Sequence, residues 1–127
     1  MGGVSTALFV HHMRHLDTLK KNYEFQRLYS KGKSAVTPFL VVYARRGKGE
    51  RGRVGFTVSA KLGKAVTRNR VRRRLREIYR LRAPSLVPGT QMVIVARGRA
   101  ATAAYGQLDR AFLSACRKLG LTREDKA

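Results

Sequence analysis

Apolar residues recur along this chain in two different periods, and the switch between them marks out its elements. From Ala35 to Arg45 the run AVTPFLVVYAR is rich in β-branched and aromatic residues and predicts a strand, with Pro38 placing its start at an edge or bulge. Phe39, Val41 and Tyr43 fall on one side of that strand, Leu40 and Val42 on the other. One side meets the core, which leaves the other for a helix or a ligand. Arg53 to Ser59 alternates Val54, Phe56 and Val58 with small or polar residues, and GKGERG at 47–52 is a turn, so the two strands are expected to pair as a hairpin. Gln91 to Ala96, QMVIVA, is almost wholly apolar, the pattern of a central strand.

Three other stretches repeat at helical spacing. Asn22 is placed to cap a helix from Tyr23 to Lys31, where Phe25, Leu28 and Tyr29 share a face and Gly32 offers a left-handed stop. Between Thr67 and Arg82 the apolar positions Val71, Leu75, Ile78 and Tyr79 stand at i, i+4, i+7 and i+8, with Thr67 as N-cap and Val66 stapled onto Val71. Pro84, Pro88 and Gly89 end that helix. Thr102 is expected to cap a last helix with Leu108, Phe112, Ala115, Cys116 and Leu119 on its buried stripe and Gly120 as its stop. The order α-β-β-α-β-α predicts a single-domain α+β sandwich over 17–120, without repeat or linker. Residues 1–16 read as an extension outside the fold and 121–127 as a frayed tail.

Charge changes this picture from a generic domain to a specialised one. The 127 residues hold 28 Lys and Arg against 7 Asp and Glu, a formal net charge of +21, while 43% hydrophobic content excludes a disordered basic tail. At this length one core buries roughly two-thirds of the unfolded surface, enough without staples. A folded cationic domain points first to nucleic acid and second to an anionic membrane. No segment approaches the roughly 20 apolar residues of a span, so the membrane is discounted. The lone Cys116 has no disulfide partner within the chain, which fits a reducing cytoplasm and a core-packing role.

The charge is concentrated in TRNRVRRRLREIYRLR, where eight arginines accompany a single acid, Glu77. Asn69, Arg73, Arg76 and Arg80 lie opposite the apolar stripe, and Arg70, Arg72 and Arg74 fill its flanks. A solvated helix face mixes signs in i,i+4 pairs; here the signs do not mix, and a bound polyanion would relieve the repulsion. Lys61, Gly63 and Lys64 add cations and a flexible backbone just ahead of the helix. Phe25 and Tyr29, four residues apart, pack as core or serve as a stacking platform for unpaired bases. The acids Asp17, Glu24, Glu50, Glu77, Asp109, Glu124 and Asp125 are scattered, with no spacing that builds a two-metal carboxylate site. If the chain works in a nuclease, something else does the chemistry. His11, His12 and His15 have no second ligand cluster to close a metal site, and a polar tail is the better reading.

Three stretches together carry a family resemblance. RVGFTVSAKLGKAVTRNRVRRRLRE from Arg53 to Glu77, KKNYEFQRLYSKGKS from Lys20 to Ser34, and MVIVARGRA from Met92 to Ala100 resemble the protein subunit of bacterial ribonuclease P. The specificity lies in the combination of a strand ending V-S, a K-x-G-x-A-V loop and an R-N-R helix start. The resemblance implies a fold similar to domain two of ribosomal protein S5, with a β-α-β unit that crosses over left-handed against the usual rule. It implies that a catalytic RNA, with Mg²⁺ held mainly by that RNA and the substrate, hydrolyses precursor tRNA to free the mature 5′ end. The protein would bind both RNAs in the cytoplasm, supplying no catalytic residue and needing no protein partner. Carried over by position, Lys61, Lys64, Arg68, Asn69, Arg70, Arg72, Arg73 and Arg76 would face the catalytic RNA. Phe25, Tyr29 and Tyr43 would line the cleft for the single-stranded 5′ leader. Where the family has a further lysine this chain has Ala60. A ribosomal-type RNA binder would need neither the R-N-R start nor the cleft aromatics. A basic-region DNA binder would continue into heptads, where this chain breaks at Ala83 to Gly89.

Overall fold

The computed structural model describes residues 18–46 and 52–123. Its elements in chain order are α1 (Asn22–Lys31), β1 (Lys33–Val36), β2 (Leu40–Arg46), β3 (Arg53–Thr57), α2 (Ala65–Arg82), β4 (Thr90–Ala96) and α3 (Tyr105–Lys118). The four strands form one mixed sheet in the order β1-β2-β4-β3. The α+β class is as expected, and β3-α2-β4 is a parallel crossover unit.

Two strand expectations are corrected. The long strand from Ala35 is two strands, because Thr37 builds a tight turn around Pro38. Its buried hydroxyl donates to the Leu40 carbonyl at 2.8 Å and accepts the Leu40 N–H at 3.0 Å. β1 and β2 then pair antiparallel, Ala35 opposite Val42. The hairpin of β2 with β3 does not form either, since β4 lies between them, antiparallel to β2 and parallel to β3. The almost wholly apolar β4 needs a strand on each edge, and this insertion supplies both.

The sheet separates two layers of unequal size. On one face Leu40, Val42, Val54, Met92 and Ile94 meet Val71, Leu75 and Ile78 of α2 and Leu108, Phe112, Ala115 and Cys116 of α3. Burial pushes the Cys116 thiol up to about 12, in keeping with its packing role. On the opposite face the buried apolar side chains among the described residues are Leu19, Leu28 and Val93, ringed by half-buried Phe25, Tyr29, Tyr43 and Val95.

Helix ends shift from the sequence expectation by amounts that local chemistry explains. α1 starts at Asn22, and the Glu24 carboxylate, not Asn22, takes the free N–H groups of Lys20 and Lys21 at 3.1 and 3.0 Å. Gly32 is extended at φ −80°, and is needed for closeness: a Cβ there would stand 2.6 Å from the Leu28 carbonyl oxygen. α2 begins two residues before Thr67, which puts Val66 in its first turn, 78% exposed and unstapled. α3 begins at Tyr105, where Gln107 accepts the Ala104 N–H at 2.8 Å in place of a Thr102 cap. Gly120 does stop it, at φ +68°. Beyond that stop Leu121 and Thr122 are buried instead of frayed, with the Leu121 carbonyl accepting the Val87 N–H at 2.7 Å. The extension 1–16 with His11, His12 and His15, most of the turn at 47–52, and 124–127 lie outside the described residues.

Candidate nucleic-acid interface

α2 buries the expected stripe of Val71, Leu75, Ile78 and Tyr79, and its arginines then divide by what lies opposite them. Towards the C-terminal end they are taken up by α3. Arg82 grips Asp109 with two parallel hydrogen bonds of 2.9 and 2.6 Å. Arg80, expected on the outer face, is instead buried at 8% exposure. Glu77 hydrogen-bonds the Tyr105 phenol, whose pKa is raised by burial first and by that bond and the neighbouring carboxylates second. The lone acid of the helix is therefore a tie to α3.

The flanking arginines meet the loop ahead of α3. Arg70 donates to the Ala101 carbonyl and Arg74 to the Ala103 carbonyl, each at 3.2 Å. Arg70 is half-buried, with its Nε enclosed and without a hydrogen-bond partner, so it is among the less presented of the candidate RNA contacts. Arg68 folds back to the Gly63 carbonyl at 3.2 Å. What remains outward is Asn69, Arg72, Arg73 and Arg76, which with Glu77 and Arg80 line a shallow groove of about 330 Å³. Arg72 and Asn69 are 3.4 Å apart within it. Lys61 stands exposed on a short helical turn, Ala60–Leu62, anchored by buried Leu62, and Lys64 stands exposed at the N-cap of α2. Four outward polar groups on one helix face, with most other arginines held in place around them, make a rigid cationic surface matched to phosphate oxygens.

The three aromatics come together on the opposite face of the sheet. Tyr29 and Tyr43 meet edge to face, centroids 5.0 Å apart at 78°. The Tyr29 hydroxyl is 3.0 Å from the Thr57 hydroxyl. Phe25 lies against Gly55, where a Cβ would fall 2.5 Å from its Cε1. α1 is pinned beside them by Arg53, which hydrogen-bonds the Glu24 carboxylate and also donates to the Thr18 carbonyl at 3.2 Å. Gly55, Thr57 and Arg53 are additions to the expected cleft. Their signal lay in the small and polar positions alternating with Val54, Phe56 and Val58, which leave room on the α1 side of β3.

Fold and surfaces together define a class: a cationic α+β domain that presents an arginine helix on one side of its sheet and an aromatic cleft on the other, suited to RNA. A family model described as Ribonuclease P matches residues 13–120, and the chain belongs to that family. The ribonuclease P protein component of Natranaerobius thermophilus is 39% identical over 113 residues, spanning 89% of this chain and 98% of that one. The component from Clostridioides difficile is 42% identical over 93 residues, spanning 72% and 82%. The solved RNase P protein of Staphylococcus aureus superimposes with a TM-score of 0.77 at 29% identity, covering 85% of this chain and 99% of its own. That of Thermotoga maritima gives 0.69 at 25%, covering 77% and 93%. The chain is thus the protein subunit of ribonuclease P, an endoribonuclease of tRNA processing, and associates with the RNA of that enzyme. Among the described residues no helix is long and apolar enough to cross a membrane.

Proposed function

We propose that the outer face of α2 docks on the catalytic RNA while the aromatic cleft holds the 5′ leader of precursor tRNA, leaving hydrolysis to the RNA. The observation that carries this reading is the separation of two unlike surfaces by the sheet. Folded RNA is held through backbone and shape, which suits Asn69, Arg72, Arg73 and Arg76 with Lys61 and Lys64 beside them. A single strand is held by stacking, which suits Phe25, Tyr29 and Tyr43. Binding both RNAs at once lowers the barrier through proximity and needs no acid or base from the protein.

Mg²⁺ in this reading belongs to the RNA and the substrate. The acids of the described chain are already engaged: Glu24 with Arg53, Glu77 with Tyr105, Asp109 with Arg82. They do not fit a resident ion, and among the described residues no three metal-ligating side chains come together. The protein alone is expected to cleave nothing, and its addition to the catalytic RNA at low Mg²⁺ to restore precursor processing. Correct 5′ ends produced by protein stringently freed of RNA would sink the mechanism.

A further inference from the structure

The α3 side of the sheet ends, at the β1 edge, in a seam of cations. The register fixes which residues face it: Lys33 stands opposite Ala44, and Arg46 lies two residues beyond Ala44 on the same face, so both project towards α3 and away from Tyr43. There Lys31, Lys33, Arg45 and Arg46 line a groove of about 480 Å³ with Ala44 and the Leu119–Leu121 turn that follows α3. A second groove, of about 370 Å³, lies along the same edge between α3 and the turn from β1 to β2, and its cations are Arg110 and Lys118. Lys118 and Leu119, adjacent in the chain, join the two grooves at the end of α3.

Nothing inside the protein balances this charge. Arg53, Arg70, Arg74, Arg82, Arg97 and Arg123 all donate to carbonyls or carboxylates of other elements. None of the six cations of the seam makes a side-chain hydrogen bond or ion pair with another described residue, and no described acid lines either groove. Glu24, Glu77 and Asp109 are engaged elsewhere. The C-terminal ends of α1 and α3 do lie here, but each helix end supplies only about half a negative charge. Against six formal positive charges that leaves an excess of about five. Their repulsion is a standing cost that a bound polyanion removes.

The seam is separate from both surfaces described above. α3 packs on β1 and β2, whereas α2 packs on β3 at the other edge of the sheet. No residue of α2 or of the aromatic cleft lines either groove among the described residues. The lining also says which kind of RNA fits. The larger groove has no aromatic side chain, and the smaller has only Phe39, itself packed against the core, so unpaired bases find nothing to stack on. A paired strand, held through its phosphates and shape, needs no such platform.

We propose that Lys33, Arg46, Arg110 and Lys118 form a further RNA-backbone site along the seam between β1 and α3, which takes the phosphates of a paired segment of the enzyme's own RNA. The proposal rests on the association of the chain with that RNA and needs no part of the leader reading.

The test uses the full chain carrying Lys33→Gln, Arg46→Gln and Lys118→Gln together, three exposed changes outside the core, reconstituted with the catalytic RNA. Affinity for that RNA should fall severalfold, and its salt dependence should become shallower by about 2.7, at about 0.9 for each duplex phosphate no longer neutralised. In a hydroxyl-radical footprint of the RNA, one paired stretch should lose its protection while Arg73→Ala leaves that stretch protected. The charge-keeping variant Lys33→Arg, Arg46→Lys and Lys118→Arg should restore both slope and footprint; failure to restore them would mean that packing and not charge was lost, and overturns the proposal. An unchanged slope and footprint in the Gln variant overturns it as well. So does loss of the same stretch that Arg73→Ala exposes, which leaves no separate site, and so does a loss confined to precursor tRNA, which gives the seam to the substrate.

Discussion

The two faces of the sheet are covered to very different depths. Against one, two helices enclose a large core that includes Phe112, Leu75, Ile78, Met92 and Leu108. Against the other, one ten-residue helix covers, among the described residues, a cluster of three buried apolar side chains and leaves its aromatics half open. The deep face holds the fold, so the shallow face is free to hold something else. Partial burial is what an aromatic cleft requires: Phe25, Tyr29 and Tyr43 are packed enough to be oriented and open enough to be stacked upon. The basic helix belongs to the deep side, and its outward guanidiniums gain their rigidity from the core beneath them.

The most direct challenge to this contrast is to empty each face in turn. Phe112→Ala removes a fully buried ring from the deep core and should cost about 3–5 kcal/mol in urea unfolding, whereas Leu28→Ala, in the small cluster, should fall near the low end of about 2–5 kcal/mol. Equal losses would mean that the shallow face is as structural as the deep one. Gly55→Ala drives a methyl group into Phe25 and should destabilise by about 1–3 kcal/mol through overpacking. The penalty should vanish when Phe25→Ala is added; its persistence in the double variant would show that the clash lies elsewhere.

Binding measurements probe the same contrast from the ligand side. Tyr43→Ala should lose about 1–3 kcal/mol of precursor binding and leave mature tRNA unaffected, and an equal loss for both would remove the leader from the cleft. Arg73→Ala, on the deep side, should make binding to the catalytic RNA less salt-dependent by about one and spare the leader contribution. An unchanged slope would mean that another face of α2 meets the RNA.

The smallest effect expected is electrostatic. Hydrogen bonds from the backbone N–H groups of Lys21, and then of Lys20, with the Arg53 guanidinium after them, hold the Glu24 carboxyl below its usual range in the folded state. A depressed folded pKa stabilises the fold above the unfolded value, and that contribution is lost as pH falls through the folded one. Glu24→Gln should therefore flatten part of the acid limb of stability against pH, at pH values below the ordinary glutamate range. A variant that keeps the wild-type pH dependence would show that the α1 anchor is not carried by this carboxylate.

Element types were legible in the sequence because each depends on a local period: Val71, Leu75, Ile78 and Tyr79 are all buried, and so are Met92, Val93, Ile94 and Ala96 of β4. Pairing was not, because the insertion of β4 between β2 and β3 is a choice among distant partners that no turn motif encodes. The same division runs through the site. The aromatics could be placed by i,i+4 spacing on α1 and by side on β2. Which of the arginines would be spent internally could not, since Arg70, Arg74 and Arg82 differ from Arg72, Arg73 and Arg76 only in where the 98–103 loop and α3 come to rest. Helix starts were misjudged where a carboxylate or amide three residues on, Glu24 and Gln107, did the capping.

The strand order also dictates when this protein can be complete. β3 pairs with no other strand of the sheet until β4 exists, and β2 has only β1. A chain emerging from the ribosome must therefore carry two unpaired strand edges, and an arginine-covered α2 with no sheet core to close on, until Ala96 has been delivered. Such late, non-local closure slows folding and lengthens the exposure of edges that other chains could add to.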